Sequence, residues 1–372
     1  MAVFYFSIVM KVKTKLNIKD KEGFFTLFKD GLLLWNSTEN NRAMPWKGEK
    51  DPYKIWLSEI ILQQTRVAQG LDYYDRFIQS FPTIHDLASA PDDLIFKHWE
   101  GLGYYSRCRN LIHTARYIVN ELNGKFPDSF ESILALKGVG PYTASAIGSF
   151  AFNLPYAVLD GNVFRVLSRI TGNAQPIDSK EGQLIFTDIA NQALARDCAG
   201  QYNQAIMDFG ATVCKPVPSC ESCFFNKHCV AFKESRQLVL PVKQNKLKIE
   251  KRWFHFLILK NSAGYWITQR TEKDIWHGLY QFPLIETPGK VTVKKILSQA
   301  EIQFGVSAQR ALLRQLPAIK QRLTHQLIHF SFTELNVPDT LMIPGYQQVE
   351  LRTLKSLAFP KTLKEVIHNE LQ

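Results

Sequence analysis

Four cysteines fall within sixteen positions as Cys214-x5-Cys220-x2-Cys223-x5-Cys229, whereas Cys108 and Cys198 stand alone. A segment this short with four thiols must fold back on itself around a shared centre. Soft anionic sulfurs converging on one point hold zinc or an iron–sulfur cluster, and disulfides are disfavoured in a reducing compartment. The spacing leaves both metals open, and His228, beside Cys229, could replace a thiolate in a zinc site. The helical character of everything before the cluster favours a 4Fe-4S centre.

At 372 residues the chain is too long for one small core. Tyr53 to Phe77 and Asp92 to Leu122 repeat apolar residues at three and four, so each reads as a long helical segment. Past Cys229 the texture changes. Ala231 to Arg252 is rich in Lys and reads as a basic linker. Trp253 to Lys260 and Gly264 to Arg270 read as paired strands, and Leu323 to Leu335 as another. Val293 to Phe304 and Thr362 to Leu371 read as helices. The expected division is an extension at 1–20, an all-α domain at 21–230 with its cysteine loop at 214–229, a linker at 231–250, and an α+β domain at 251–372.

No apolar run approaches a bilayer span; Ile147 to Val158 is among the longest and is interrupted by polar residues. Met1 to Met10 is apolar but lacks a basic leading segment and a cleavage site, so it reads as an extension ahead of a possible start at Met10 and not as a signal peptide. A cytoplasmic protein is expected, acting as a monomer without membrane attachment. Net charge is +11, divided as +1 over residues 1–230 and +10 over 231–372. Any field that attracts a polyanion therefore comes mainly from the C-terminal third.

Three further segments carry chemistry. In Ile133 to Phe150, Gly138-Val139-Gly140 makes a tight turn and Pro141 opens the next helix at its favoured first position. Amides left free at such a helix start bind phosphate without needing Lys or Arg. A plain helix–turn–helix would also use Gly-x-Gly. Asp160 stands where an N-cap belongs before Val163 to Ile170, and equally where a carboxylate could face a site beside that turn. Glu59, Gln63 and Arg66 share one helix face between apolar neighbours. That face is either a solvated stripe or places an acid in a pocket where desolvation raises its pKa enough to donate a proton.

Taken together, Pro45-Trp46, Asp51 to Glu59, Leu62-Gln-Gln-Thr65, Gly101-Leu-Gly-Tyr-Tyr-Ser-Arg107, Lys137-Gly-Val-Gly-Pro-Tyr-Thr143, Leu159-Asp-Gly-Asn-Val163 and the cysteine cluster resemble the helix–hairpin–helix DNA glycosylases, specifically the MutY-type adenine glycosylases. Trp276 to Pro283 and Leu323-Thr-His325 resemble that family's C-terminal MutT-like (Nudix-like) domain. The resemblance implies removal of adenine paired with 8-oxoguanine from double-stranded DNA, after the nucleotide is flipped out. It implies Glu59 as the acid at adenine N7 and Asp160 as the carboxylate at the sugar. Arg42, Trp46 and Asp208 would line the adenine pocket, with Tyr142 and Asn162 also at the nucleotide. Gln64 and Tyr104 would enter the base stack, Thr324 and His325 would read 8-oxoguanine, Gly138, Val139 and Gly140 would hold DNA phosphate, and the four cysteines would hold the 4Fe-4S cluster.

Tyr142 occupies the position where endonuclease III-type relatives carry a Lys nucleophile, so a monofunctional enzyme is expected. An endonuclease III-type or mismatch-specific glycosylase is the alternative activity, and a catalytically silent lesion-binding protein the alternative class. The sequence departs from the family in a first cysteine gap of five instead of six, in Leu323-Thr324 where Phe-Ser is usual, and in lacking the Mg²⁺-binding carboxylates of nucleotide-hydrolysing Nudix proteins.

Overall fold

The computed structural model describes residues 20–245, 248–306 and 312–371. The extension expected at 1–20 falls outside them except for Asp20, which caps the first helix by accepting a bond from Gly23 N at 2.9 Å. The described residues form two compact units, one of 20–88 with 113–245 and one of 89–112 with 248–371.

The first unit is all helical. Its helices start where the sequence supplies caps. Asp51 accepts from Tyr53 N ahead of Pro52–Leu62, Gly140 precedes Pro141–Phe152, Asp160 caps Gly161–Thr171, and Ser179 caps Lys180–Ala193. Pro52 and Pro141 sit at first positions, where their missing N–H costs nothing. Helices Lys21–Thr38, Gly161–Thr171 and Ala199–Thr212 bury Phe28, Leu32, Val166, Leu167, Ile206 and Phe209 in one core.

The two long helical segments expected from periodicity are each broken. Pro52–Leu62 and Val67–Ser80 are separate helices, as are Asp92–Trp99 and Tyr105–Glu121. Gln64 at φ 55° ends the first run; Gly101, Gly103 and Tyr104, at φ 94°, 79° and 49°, end the second. Left-handed backbone cannot continue a right-handed helix.

The second unit is built on a seven-stranded mixed sheet: β1 (Glu250–Asn261), β2 (Gly264–Gln269), β3 (Tyr280–Gln281), β4 (Leu284–Thr287), β5 (Leu312–Arg322), β6 (Gln326–Asn336) and β7 (Gln347–Val349). β1 and β6 run parallel at its centre, with Phe254 opposite Phe330 and Phe256 opposite Phe332. Even-numbered β1 and β6 residues bury against helices Leu351–Ser356 and Lys361–Glu370; odd-numbered Leu257, Leu259 and Leu335 bury against Val293–Phe304. The single strand expected over Leu323 to Leu335 begins only at Gln326, because Leu323–His325 is the tip of the β5–β6 hairpin, closed by Leu323 N to Gln326 O at 2.8 Å.

Residues 89–112 pack with this unit although the expected division put them in the helical domain. Glu100, 7 % exposed, accepts from Phe359 N at 3.2 Å and pairs with Lys97 and Lys364. Arg109 donates to His277 O at 2.5 Å. The basic stretch after Cys229 is also not a free linker at its start. Ile177 N bonds Val242 O, and Asp178 accepts from Gln244 N and Asn245 N.

Candidate active site

Glu59 lies near the end of Pro52–Leu62, facing the start of Pro141–Phe152, and is 5 % exposed. The periodicity that gave it a polar stripe placed it among buried Trp56, Ile60 and Ile61. Burial pushes its carboxyl from 4.5 up to about 7; the hydrogen bond from Tyr142 opposes the rise and the charge of Asp160 adds to it. The Tyr142 phenol is itself driven well above its ordinary value by burial, then by both carboxylates, so it remains a donor to Glu59. Beside them Gln63 Nε2 donates to Thr143 Oγ1 at 3.3 Å.

Asp160 is held by the helix it caps. One oxygen accepts from Asn162 N at 2.9 Å and Val163 N at 2.7 Å, and the other from Asn162 Nδ2 at 2.8 Å. Burial raises its carboxyl, while those bonds and the Arg165 charge pull it back. The two acids are near enough for the charge of Asp160 to act on Glu59 but differ in surroundings, since Asp160 receives three donors that favour its ionised form. Asn162 Oδ1 in turn accepts from Arg165 at 2.8 Å, and Arg165 also reaches Gly210 O and Cys214 O. Gly210 permits this fit, because a Cβ there would sit 2.8 Å from Asn162 Cβ.

Asp208 is fully buried and takes donors from four side chains: Arg42 at 2.7 Å, Asn40 at 2.9 Å, Gln204 at 3.0 Å and Lys47 at 3.1 Å. Its oxygens are committed to protein, and Arg42 and Lys47 are both partly open, at 25% and 26%. Trp46 is buried edge-on to Tyr74, ring centroids 5.3 Å apart. Asn40, Lys47, Gln204 and Arg165 were not singled out from sequence. Gln204 precedes Asp208 by one helical turn and Arg165 follows Asn162 by three residues, so spacing offered a signal for those two only.

At the glycine turn, Gly138 takes φ 85° and a Cβ on Gly140 would meet open space. Thr114 Oγ1 braces the turn by donating to Lys137 O at 3.0 Å. Exposed Gln64 also stands in this unit, at the left-handed end of the Glu59 helix.

The four clustered thiols lie close enough that their charges couple. Burial pushes Cys223 up to about 12 and Cys229 up to about 11, with neighbouring thiols adding to both. Arg169 donates to Cys214 Sγ at 3.4 Å. Four soft sulfurs near a cation are the kind of donor set that binds metals, although among the described residues no group of three or more His, Cys, Asp or Glu is gathered so that it could hold a metal ion.

Tyr104, Thr324 and His325 belong to the second unit. Tyr104 is 43 % exposed, its hydroxyl bonded to Thr324 Oγ1. Arg107 supports its turn: the guanidinium lies 5.5 Å from the Tyr104 ring and 5.2 Å from Trp99, and donates to Gly103 O at 3.2 Å. His325 is exposed at the hairpin tip.

Residues 57–189 match the HhH-GPD superfamily base excision DNA repair protein model, and 254–369 match a NUDIX domain. The adenine DNA glycosylase of Buchnera aphidicola subsp. Acyrthosiphon pisum is 35% identical over 348 residues, covering 92% of this chain and 97% of its own. That of Rattus norvegicus is 42% identical over 217 residues, covering 55% of this chain and 42% of its own. A thermostable thymine-DNA glycosylase structure superposes with a TM-score of 0.51 at 28% identity, covering 57% of this chain and 98% of that one. No described helix is long and apolar enough to cross a membrane. A buried Glu59 beside Asp160, a glycine turn opening a helix, and full-length similarity to a curated relative agree: the chain belongs to the adenine DNA glycosylases, the base-excision enzymes that remove adenine from DNA.

Proposed function

We propose that this glycosylase acts on adenine opposite 8-oxoguanine in duplex DNA and is monofunctional, releasing the base by hydrolysis alone. The observation that carries the mechanism is the buried Glu59, held at about 7 and bonded to Tyr142. A carboxyl poised there is still about half protonated at neutral pH, where an ordinary carboxyl is fully ionised, and can give its proton to N7 of a flipped adenine. Protonation makes adenine the better leaving group, so the C1′–N9 bond breaks and its electron pair leaves with the base. Asp160, whose three donors favour its ionised form against burial, faces the positive charge that develops on the sugar. Water then adds its oxygen to C1′ and returns a proton to Glu59. This is the two-carboxylate logic of glycoside hydrolysis applied to a nucleoside.

The other residues support that chemistry. Arg42, positioned by Asp208, and Trp46 form the adenine pocket, and Asn162 fixes the Asp160 carboxylate. The amides of Gly138, Val139 and Gly140 hold a phosphate. Gln64 and Tyr104 enter the stack, a role consistent with non-glycine residues kept in left-handed backbone. Thr324 and His325 read 8-oxoguanine. Cys214, Cys220, Cys223 and Cys229 would hold a 4Fe-4S cluster, which when bound would cross-link the loop whose Cys214 carbonyl Arg165 joins to Asn162. Tyr142 leaves no amine for Schiff-base chemistry, which supports the monofunctional reading. A single-turnover assay on A opposite 8-oxoguanine, A opposite G and T opposite G tests the proposal. Adenine release should be fastest opposite 8-oxoguanine and yield abasic sites without strand nicking. Equal rates opposite G, release of T, or borohydride-trappable nicking would refute it.

A further inference from the structure

The odd-numbered face of the β1–β6–β5 sheet is divided in two. Toward Leu257 and Leu335 it is covered by Val293–Phe304. Toward the β5–β6 hairpin the face lies outside that helix's core, and its cations are exposed. There Trp253 of β1 lies opposite His329 of β6 with the rings stacked, centroids 4.9 Å apart and 11° from parallel. His329 pairs across to Lys320 of β5, and Leu327 lies between Lys251 of β1 and Arg322 of β5. Lys251, Lys320 and Arg322 are exposed, while both rings are half-buried. Burial, then the charges of Lys320 and Lys251, hold His329 below its ordinary value.

The acids of these strands take the opposite alternation. Glu250 pairs with Gln326, Glu286 with Phe254 and Glu334 with Ile258, all on the even-numbered face. Glu286 is taken up there by Arg252, and Glu334 by Lys260 and Arg314. The half-face toward the hairpin therefore carries three cations around a flat aromatic pair and no carboxylate of its own strands. It continues directly into Leu323–His325, since Arg322 and Gln326 flank that tip.

A two-stranded ribbon that reads a base edge from the major groove has phosphates on both flanks. Resting on the reading of Thr324 and His325 as the lesion reader, we propose that Lys251, Lys320 and Arg322, splayed by the Trp253–His329 stack, form a second contact that takes the DNA sugar–phosphate backbone beside the hairpin. This contact is blind to sequence. It localises part of the C-terminal positive charge to one surface and adds affinity without lesion discrimination.

The test compares the full-length Lys251→Ala/Lys320→Ala/Arg322→Ala protein with a control carrying Lys294→Ala/Lys295→Ala/Lys361→Ala, which removes the same charge from elsewhere in the unit. Affinity for duplexes bearing A opposite 8-oxoguanine or opposite G is followed against salt concentration. Each lost phosphate contact lowers the slope of log K against log[salt] by about 0.9, so the first variant should lose about 1.8–2.7 on both duplexes. The control should lose under about 0.5, and the ratio of the two affinities should stay constant in both proteins. Should the first variant unfold, Lys320→Ala/Arg322→Ala replaces it with an expected loss of about 0.9–1.8. An unchanged slope, or an equal loss in the control, overturns the proposal. Thr324→Ala is read separately: if it leaves the ratio unchanged the lesion-reader assignment fails, whatever the slopes show.

Discussion

Glu59 sets a cost that can be measured without any DNA. A carboxyl whose ordinary value is 4.5 is held at about 7 in the folded protein. Ionising it there is therefore harder than in the unfolded chain by about 3 kcal/mol. The sign follows from the folded value lying above the unfolded one. Below 4.5 both states are protonated and Glu59 carries no penalty. Stability drains away between 4.5 and 7, and the full penalty is present by about pH 8. Glu59→Gln cannot ionise and still accepts a bond from Tyr142. It should match the parent near pH 4.5 and exceed it by about 3 kcal/mol at pH 8, or roughly 6–12 °C for a unit of about two hundred residues. Melting both proteins between pH 5 and 9 checks this, with cleavage abolished in the variant throughout. A melting difference that does not change with pH would refute the reasoning, because then burial does not perturb this carboxyl.

Tyr142→Phe removes the one bond that opposes the rise of Glu59, so the alkaline limb of the single-turnover rate should move to higher pH; a shift to lower pH contradicts the assigned donor direction. Asp208→Asn leaves Arg42 and Lys47 around a buried group without its charge. It should cost about 3–5 kcal/mol by denaturant titration and weaken binding of adenine-containing duplex. Arg107→Gln should lower affinity for the 8-oxoguanine duplex about 5–10-fold by loosening Tyr104, and the loss should vanish in a Tyr104→Ala background. Persistence of the loss there would mean that Arg107 acts through the fold at large. Cys220→Ser should lose bound iron by metal analysis and lower the melting temperature; full iron content would remove Cys220 from the ligand set.

Much of this site was legible because it is written in local chemistry. Asp51-Pro52, Gly140-Pro141 and Asp160 announce helix starts in the sequence, and each is a helix start in the structure. Apolar periodicity ran straight across Gly101 and Gly103 and hid the turn there, and Gln64 and Tyr104 at positive φ were hidden too, since neither residue type favours that backbone. The Asp208 cluster was hidden for another reason. Asn40 and Arg42 are 168 and 166 residues away in sequence, and only tertiary packing gathers them. The allegiance of residues 89–112 was likewise beyond periodicity, which reports that a helix has an apolar face but not what covers it.

That allegiance has a consequence for the order in which the protein can be completed. Glu100 leaves the ribosome 259 residues before Phe359, whose amide it accepts. At roughly 5–20 residues per second, this amounts to a wait on the order of 13–50 s with that carboxylate still lacking its final partner. A chain cut short after the helical unit would remain in that waiting state, so the missing C-terminal strands would be felt far upstream, at the turn that carries Tyr104.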